Sequence, residues 1–231
     1  MAQPAERSVG LQFEKVEKRY GSVYALRNLS LTVGPGECVA LAGRNGSGKT
    51  TLLRLASLLT RPTRGTVAFS GAGGNQKPPV GFVAHATMVY DELSAEENLH
   101  FFASLLGIAD RKERVSELLR EVGLENRKDS LVRTFSRGMR QRVAIARAML
   151  AEPSLLLFDE PATGLDLEAT TWLVRHLTQF RDAGCTILMS LHGESDVARL
   201  ATRALRLESG SVALDTRNGA TFQSIFAFAG G

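Results

Sequence analysis

Several features that mark particular classes of protein are scarce in this sequence. Its 231 residues include two cysteines and one tryptophan. No hydrophobic run approaches the ~18 residues that a membrane-spanning helix needs, and the first ten residues hold no apolar segment of the kind found in a secretory signal. Cys38 and Cys185 each adjoin an apolar run, so we interpret them as buried thiols in a reduced compartment, not as a disulfide pair. We therefore expect a cytoplasmic polypeptide whose membrane role, if any, comes through a partner.

Charge of one sign is not in large excess either. The 28 Lys+Arg and 24 Asp+Glu give a formal net charge of +4, which by itself does not indicate nucleic-acid binding. A hydrophobic content of 44% is enough for a full core, arranged as one large domain or two small lobes. Internal repeats and low-complexity segments are absent from the sequence.

The most informative motif is a phosphate-binding loop. Residues 43–50 read GRNGSGKT, which matches G-x-x-x-x-G-K-[ST] between an apolar run and a helix-forming stretch. The glycines let backbone N–H groups surround phosphate oxygens at a helix N-terminus, Lys49 would reach the β- and γ-phosphates, and the Thr50 hydroxyl would ligate Mg²⁺. The residues predicted to contact the nucleotide here are Gly43, Arg44, Asn45, Gly46, Ser47, Gly48, Lys49, Thr50 and Thr51.

Periodicity predicts an α/β fold around this loop. The strands are predicted at 11–15, 29–33, 38–42, 66–69, 80–84, 155–158 and 186–189, and on either side of a turn at 209–210. The helices are predicted from the loop to about 59, at 94–106, 110–122, 137–151 and 167–182, with a polar loop at 71–79. We expect a P-loop NTPase core with a mixed, largely parallel sheet, flanking helices and an N-terminal antiparallel β-subdomain. Residues 1–231 then form one domain, with a helical subdomain inserted at 86–152.

Acidic residues follow the buried strand at 155–158. Ligands of parallel sheets bind at the carboxyl ends of strands, so Asp159 is predicted to hold Mg²⁺ through water and Glu160 to act as the general base on an attacking water. His192 follows the next strand, where it is predicted to reach the γ-phosphate and to orient Glu160.

A second motif points to a family. Residues 134–142 read TFSRGMRQR and precede the 155–160 segment in the way that the LSGGQ signature precedes the acidic strand end in ABC transporter ATPases. Residues 164–166, Gly-Leu-Asp, look like the D-loop of that family, and Tyr20 lies where the family stacks an aromatic ring on adenine. In this order the motifs resemble the ABC family from Tyr20 to His192, and small GTPases and P-loop kinases lack them.

The resemblance implies a mechanism and partners. Two such domains, here a homodimer, would pair head to tail, with each ATP between one phosphate loop and the signature of the partner. Ser136 and the Gly138 N–H would then cap the γ-phosphate across the dimer, and Asp166 would belong to the same site. The dimer would lie on the cytoplasmic face of the inner membrane. Its closing and opening would drive separate membrane-spanning subunits.

Two positions depart from the family pattern. The signature reads FSRGM, and Arg137 in place of glycine either adds charge near the γ-phosphate or lies at the surface of the interface. His85 stands where the family has a glutamine that contacts Mg²⁺ and the attacking water. We expect His85 to take the place of this glutamine. One neutral ring nitrogen would contact the metal or the water, and it would lose that ability on protonation.

The same histidine narrows the transporter class. His85, followed by LSAEENL at 93–99, resembles the ATP-binding subunits of cytochrome c maturation haem exporters, and the segment 86–93 is expected to face the membrane partner. An exporter of drugs, lipids or polysaccharides is the alternative. A soluble ABC ATPase of ribosomes or DNA is disfavoured, because the chain has one cassette and neither long coiled coils nor zinc modules. The arginines at 133, 137, 140, 142 and 147 are interpreted as a solvated helix face, so no nucleic acid is expected.

Overall fold

A computed structural model describes residues 8–71, 77–193 and 195–227. The strands are β1 (Val9–Tyr20), β2 (Val23–Val33), β3 (Cys38–Ala42), β4 (Arg64–Gly71), β5 (Val80–Val83), β6 (Leu155–Asp159), β7 (Thr186–Ser190), β8 (Arg203–Glu208) and β9 (Ser211–Asp215). The α-helices are α1 (Lys49–Ala56), α2 (Ala95–Leu105), α3 (Arg111–Glu121), α4 (Arg137–Met149), α5 (Leu167–Asp182) and α6 (Phe222–Phe226). Single 3-10 turns occur at Glu125–Arg127, Val132–Thr134, Ala198–Leu200 and Thr216–Asn218.

The strands form two sheets. In the first, β1 pairs antiparallel with β2 on one side and β4 on the other. The second has the order β5-β6-β7-β3-β8-β9, parallel throughout except that β9 runs antiparallel to β8. The predicted fold class, a largely parallel P-loop core with an antiparallel subdomain, is confirmed.

Apolar side chains cover both faces of the parallel sheet. Along β6, Leu156 and Phe158 join one apolar cluster, whereas Leu155 and Leu157 join the other. The alternation follows from the two-residue period of a strand, and burial on both faces explains why this stretch reads as a continuous apolar run. The first cluster also takes in buried residues of α2, α3 and α4, so these helices pack on one face of the sheet.

The predicted insertion at 86–152 contains α2, α3 and α4. The sequence SAEE at 94–97 predicts a capping box at the start of α2. It is present, because the Glu97 N–H donates to Ser94 Oγ at 3.1 Å and the Ser94 N–H donates to Glu97 Oε2 at 2.7 Å. The apolar spacing of the sequence predicts one helix face made of Leu99, Phe102, Leu105 and Leu106, and this prediction is wrong at its end. Leu105 is 68% exposed and Leu106 is 55% exposed, because Leu105 lies outside the 3–4-residue repeat that starts at Leu99 and Leu106 lies beyond the helix end.

Other boundaries differ more. Strands β1 and β2 extend far beyond the predicted 11–15 and 29–33 and meet at a two-residue turn, where Gly21 has φ +58. Towards the turn, charged residues that are not buried, such as Glu17, Arg19 and Arg27, interrupt the apolar alternation, so the outer parts of both strands carry a weaker apolar signal. Helix α1 ends at Ala56 instead of continuing to about residue 59, and Leu58 has φ +60. Most of the predicted polar loop at 71–79 lies outside the described residues.

Both cysteines are free thiols, as predicted. Cys38 is buried at the start of β3, and Cys185 is half-buried just before β7. Burial raises the pKa of each thiol to about 12. Neither is therefore a reactive thiolate near neutral pH.

An ion network fastens the two sheets together. Arg203 on β8 binds Asp215 on β9, with Nε 2.9 Å from Oδ1 and Nη2 2.5 Å from Oδ2. Its Nη1 also donates to the Thr32 carbonyl of β2 at 2.7 Å, and Glu37, in the turn before β3, lies 3.5 Å from Arg203 and 3.0 Å from Arg217. Burial raises the pKa of Asp215, but the hydrogen bonds and charge of Arg203, aided by Arg217, outweigh it and leave the pKa below its ordinary value.

Candidate active site

The candidate site lies at the carboxyl ends of adjacent strands. Residues 43–48 follow β3, Asp159 ends β6, and Ser190 ends β7 in register with Asp159. Because these strands are neighbours and parallel, their polar end residues converge on one edge of the sheet.

The glycines of the loop are needed where the chain approaches its neighbours closely. A Cβ at Gly43, which has φ +147, would come within 2.5 Å of the Leu207 carbonyl. A Cβ at Gly48, which has φ +110, would come within 2.7 Å of the Ala25 carbonyl. Glycine therefore permits the loop to turn against β8 and β2.

The remaining loop residues face open space or the loop interior. Arg44, Asn45, Gly46 and Ser47 line a cavity of about 530 Å³ together with the end of β8. Ser47 Oγ is buried and has no hydrogen-bond partner among the described residues. Thr51 follows in the first turn of α1 and is half-buried.

Lys49 is the buried cation of the loop. Its Nζ donates to the Gly43 carbonyl at 2.6 Å and lies 3.3 Å from the Arg44 carbonyl. Burial lowers the pKa of Lys49, and the nearby Glu160 and Asp159 carboxylates partly oppose that effect. The ammonium group is thus held inside the loop, among the N–H groups that would surround a phosphate.

A short chain of oxygen atoms joins the loop to the two acidic residues. Thr50 Oγ1 lies 3.2 Å from Asp159 Oδ1, and Ser190 Oγ donates to the same carboxylate oxygen at 2.7 Å. Ser190 Oγ also accepts the backbone N–H of Glu160 at 2.9 Å. The sequence predicts no role for Ser190, whose only signal is its position at the end of the strand next to that of Asp159.

Two histidines flank the Glu160 carboxylate. His192 Nε2 lies 2.7 Å from Oε1, and His85 Nδ1 lies 3.3 Å from Oε2. The Glu160 backbone has φ +55, a left-handed conformation that costs a non-glycine residue about 1–2 kcal/mol. The structure thus brings Glu160 and His192 together as predicted. It places His85 beside Glu160, and no hydrogen bond or ion pair in the described part of the chain joins His85 to Thr50 or Asp159.

Tyr20 stands at the exposed end of the first sheet. It ends β1, is 47% exposed, and has Lys18 Nζ 5.0 Å from its ring centroid. An exposed ring beside a cation is free to stack on a flat ligand, as an adenine platform requires.

The signature and D-loop residues begin two helices. Ser136 caps α4 by accepting the Met139 N–H at 3.2 Å, and Asp166 caps α5 by accepting the Ala169 N–H at 2.8 Å. A Cβ at Gly138 would meet the Ala169 side chain at 2.8 Å, so the two helix starts pack closely. No hydrogen bond or ion pair in the described ranges joins these residues to the loop at 43–50.

The five arginines do not form one solvated face, which corrects the sequence interpretation. Arg147 donates to the Met88 carbonyl at 2.8 Å and to the Phe82 carbonyl at 2.9 Å, and it lies over the Phe102 ring at 5.1 Å. Burial lowers the pKa of Arg147. Arg142 lies 4.8 Å from the Trp172 ring centroid. The helix period alone could not reveal that these side chains reach backbone carbonyls and rings on other elements.

The residues present fit a nucleoside triphosphate and a hard cation. The buried, unpartnered Ser47 hydroxyl and the Lys49 ammonium suit phosphate oxygens, and the Thr50 hydroxyl and Asp159 carboxylate are the oxygen ligands that Mg²⁺ prefers. In the described part of the chain, no group of three or more His, Cys, Asp and Glu side chains is arranged to hold a metal ion. The cation would therefore rely on these two oxygens, on phosphate and on water.

The fold and the loop define a P-loop ATPase. A family model described as "ABC transporter" matches residues 26–163. The chain is 39% identical over 207 residues to the Nod factor export ATP-binding protein I of Cupriavidus metallidurans, covering 87% of this chain and 68% of that protein. It is 36% identical to the ABC transporter ATP-binding protein NatA of Bacillus subtilis, covering 82% and 80%. The chain belongs to the ABC transporter family, and it is an ATP-hydrolysing enzyme.

Solved structures agree. A dimeric bacterial ABC transporter cassette matches with a TM-score of 0.80 at 28% identity, covering 89% of this chain and 97% of that one. A dimeric cassette in a post-hydrolysis state bound to ADP and Pi matches with a TM-score of 0.79, at the same identity and coverage. No helix within 8–71, 77–193 and 195–227 has the length and apolarity needed to cross a bilayer.

Proposed function

We propose that this chain is the ATP-hydrolysing subunit of an ABC exporter and powers a separate membrane subunit. The observation that carries the proposal is the line of contacts from Thr50 through Asp159 and Ser190 to Glu160 and His192, in a chain of this family. Residues 1–231 are proposed to act as one ATP-binding domain, with 86–152 as its helical subdomain.

Each site residue has a proposed task. Lys49 and the loop amides bind the phosphates, while Thr50 and Asp159 would hold Mg²⁺, which when bound neutralises phosphate charge. Glu160 accepts a proton from the attacking water, and His192 keeps the carboxylate in position at 2.7 Å. The contact of His85 with metal or water stays a prediction.

The site is proposed to be completed by a second copy of the chain. Helix α4 has no acidic residue in its first turn, so nothing on the helix offsets the positive end of its dipole. Ser136 and the Gly138 N–H are proposed to cap the γ-phosphate bound to the partner, with Asp166 at the same interface and Tyr20 on the adenine. Similarity to dimeric cassettes supports this arrangement.

An exposed aromatic patch is the proposed contact with the membrane subunit. Met88 is 54% exposed, Tyr90 50% and Phe101 39%. Tyr90 and Phe101 meet edge to face with centroids 5.1 Å apart, and Leu105 lies on the same helix as Phe101 with 68% exposure. Clustered exposed apolar side chains of this kind mark protein interaction sites. We therefore place the chain on the cytoplasmic face of the membrane, held by its partner.

The cargo that the transporter would export is proposed to be haem, with another exported compound as the alternative. His85 and the LSAEENL segment at 93–99 favour haem export for cytochrome c assembly. The named relatives act in Nod factor export or are called NatA, which favours the alternative of another exported cargo. A membrane subunit that co-purifies from the native host, and whose own ligand is haem, would support the first.

Replacing Phe101 by aspartate tests the role as an exporter subunit. The chain is co-expressed with the membrane subunit from the same host, and the complex is isolated through a tag on the membrane subunit. Phe101→Asp should reduce recovery of this chain at least tenfold, because a desolvated charge at an apolar contact costs several kcal/mol. Phe222→Asp on α6 is the matched control, since Phe222 is 38% exposed against 39% for Phe101. Equal recovery of both variants would count against the patch as the contact.

A further inference from the structure

Both oxygens of the Glu160 carboxylate already have an imidazole partner. His192 Nε2 lies at 2.7 Å from one oxygen and His85 Nδ1 at 3.3 Å from the other. The Glu160 side chain is 15% exposed, whereas the His85 side chain is 53% exposed. Two residues on separate segments therefore contact one half-buried carboxylate. His85 follows β5, and His192 follows β7.

Neither contact with Glu160 requires a charged imidazole, because each ring has a neutral tautomer with its proton on the nitrogen that faces the carboxylate. His192 donates if its proton is on Nε2, and His85 donates if its proton is on Nδ1. Each carboxylate oxygen keeps a second lone pair, so Glu160 can still accept a proton from water. The backbone of Glu160 is fixed as well, through its left-handed φ of +55 and the bond from its N–H to Ser190 Oγ.

We propose that His85 is a positioning residue for Glu160 and not a metal ligand. The Nδ1 of His85 and the Nε2 of His192 flank the carboxylate at 3.3 and 2.7 Å and so limit its rotation away from the water it must deprotonate. The inference rests on the proposed role of Glu160 as the base. It differs from the predicted contact of His85 with Mg²⁺, because His85 has its contact with Glu160 and none with Thr50 or Asp159 in the described residues.

The nitrogen in use determines which substitution should restore function. The Nδ1 of histidine is bonded directly to Cγ, so an asparagine amide nitrogen occupies nearly the same place. A glutamine amide nitrogen lies one bond further out, nearer the place of Nε2. If His85 positions Glu160 through Nδ1, asparagine should substitute for it and glutamine should not. If His85 replaces the family glutamine at the metal, glutamine should be the better substitute.

The kinetic test compares His85→Asn, His85→Gln and His85→Ala in the full chain. We expect kcat to fall about tenfold or more in the Ala and Gln variants, because a carboxylate that is no longer held in place is a less effective base, and to recover to within about threefold of wild type in the Asn variant. The KM for ATP and the Mg²⁺ concentration for half-maximal rate should stay within twofold in all of them. His100→Asn, on α2 and away from the site, is the control for a histidine loss. Wild-type kcat in His85→Gln, or a raised Mg²⁺ requirement in any variant, would overturn the proposal.

A second measurement does not depend on turnover. The ring ¹⁵N signals of His85, assigned by their loss in His85→Asn, are recorded for the protein free of nucleotide and metal. Glu160→Ala should shift the His85 Nδ1 signal, and unchanged signals would contradict the contact. The assignment of Glu160 as the base fails if the wild type binds ATP without hydrolysing it, or if Glu160→Gln hydrolyses ATP at the wild-type rate. In either case the NMR result still reports on the contact between His85 and Glu160.

Discussion

Ser190 shows how one hydroxyl at a strand end can serve two functional groups. Its Oγ donates to Asp159 at 2.7 Å and accepts the Glu160 N–H at 2.9 Å. Asp159, the proposed metal ligand, and Glu160, the proposed base, are therefore both positioned by Ser190, although their proposed roles differ. A buried hydroxyl with both roles satisfied is costly to remove, since the groups it serves would be left without partners.

Glu160 is the proposed general base, and replacing it by glutamine tests that role. Glu160→Gln should lower kcat by about 10²–10⁴-fold, the usual contribution of a general base, and should leave ATP binding intact, because the amide is nearly the same size. Turnover and binding of ATP are measured separately. Glu168→Gln, on the exposed start of α5, is the control for a carboxylate loss. Hydrolysis by Glu160→Gln at the wild-type rate would remove Glu160 from the role of base.

The Arg203 network joins the strands β2, β8 and β9. The pKa of Asp215 lies below that of an unfolded aspartate, about 3.9. Its ionised carboxylate therefore contributes stability that is fully present above that value and is lost as the pH falls through the folded pKa. Acid should thus loosen the attachment between the first sheet and the C-terminal hairpin.

Asp215→Asn tests this attachment. Because one partner of a buried pair is removed, the free energy of unfolding at pH 7 should fall by about 3 kcal/mol. The variant should also lose less stability than wild type between pH 7 and pH 3, as it no longer has this carboxylate to protonate. Urea unfolding at both pH values measures the difference. Asp196→Asn breaks an exposed pair with Arg199 and should cost less than about 1 kcal/mol; equal losses in the two variants would contradict the role of the network.

Some elements could be predicted closely and others could not. Helix α5 begins and ends at the predicted residues 167 and 182, because its cap at Asp166, its apolar period and the glycine at 184 all agree. Strands β1 and β2 are longer than predicted, since charged residues such as Glu17, Arg19 and Arg27 interrupt the apolar alternation near the turn. The roles of Ser190 and Arg147 depend on contacts between elements far apart in sequence, which no local pattern encodes.

In the whole molecule, the residues of the proposed active site lie in two separate regions of the chain. The loop at 43–50 and the caps at Ser136 and Asp166 share no hydrogen bond or ion pair in the described residues. A head-to-tail pair of chains would place one loop against the other signature, which gives two identical sites per dimer.

A mixture of two inactive variants tests that arrangement. Lys49→Ala destroys the loop half of a site, and Ser136→Arg destroys the signature half. Each variant alone should be inactive, but random pairing makes half of the dimers mixed, each with one intact site, so about a quarter of wild-type activity should return. ATPase activity is measured across mixing ratios, with Lys49→Ala mixed with itself as the control. No recovery from chains that still dimerise would contradict a shared site.

Arg147 binds both ends of the stretch from Phe82 to Met88, which lies between β5 and α2. One guanidinium group holds the Phe82 carbonyl and the Met88 carbonyl, and its stack on Phe102 connects it to the ring that lies beside the exposed patch. The stretch that carries His85 is therefore fastened at both ends by the same side chain. A change at the patch that moves Arg147 would therefore act on both ends of the stretch that carries His85.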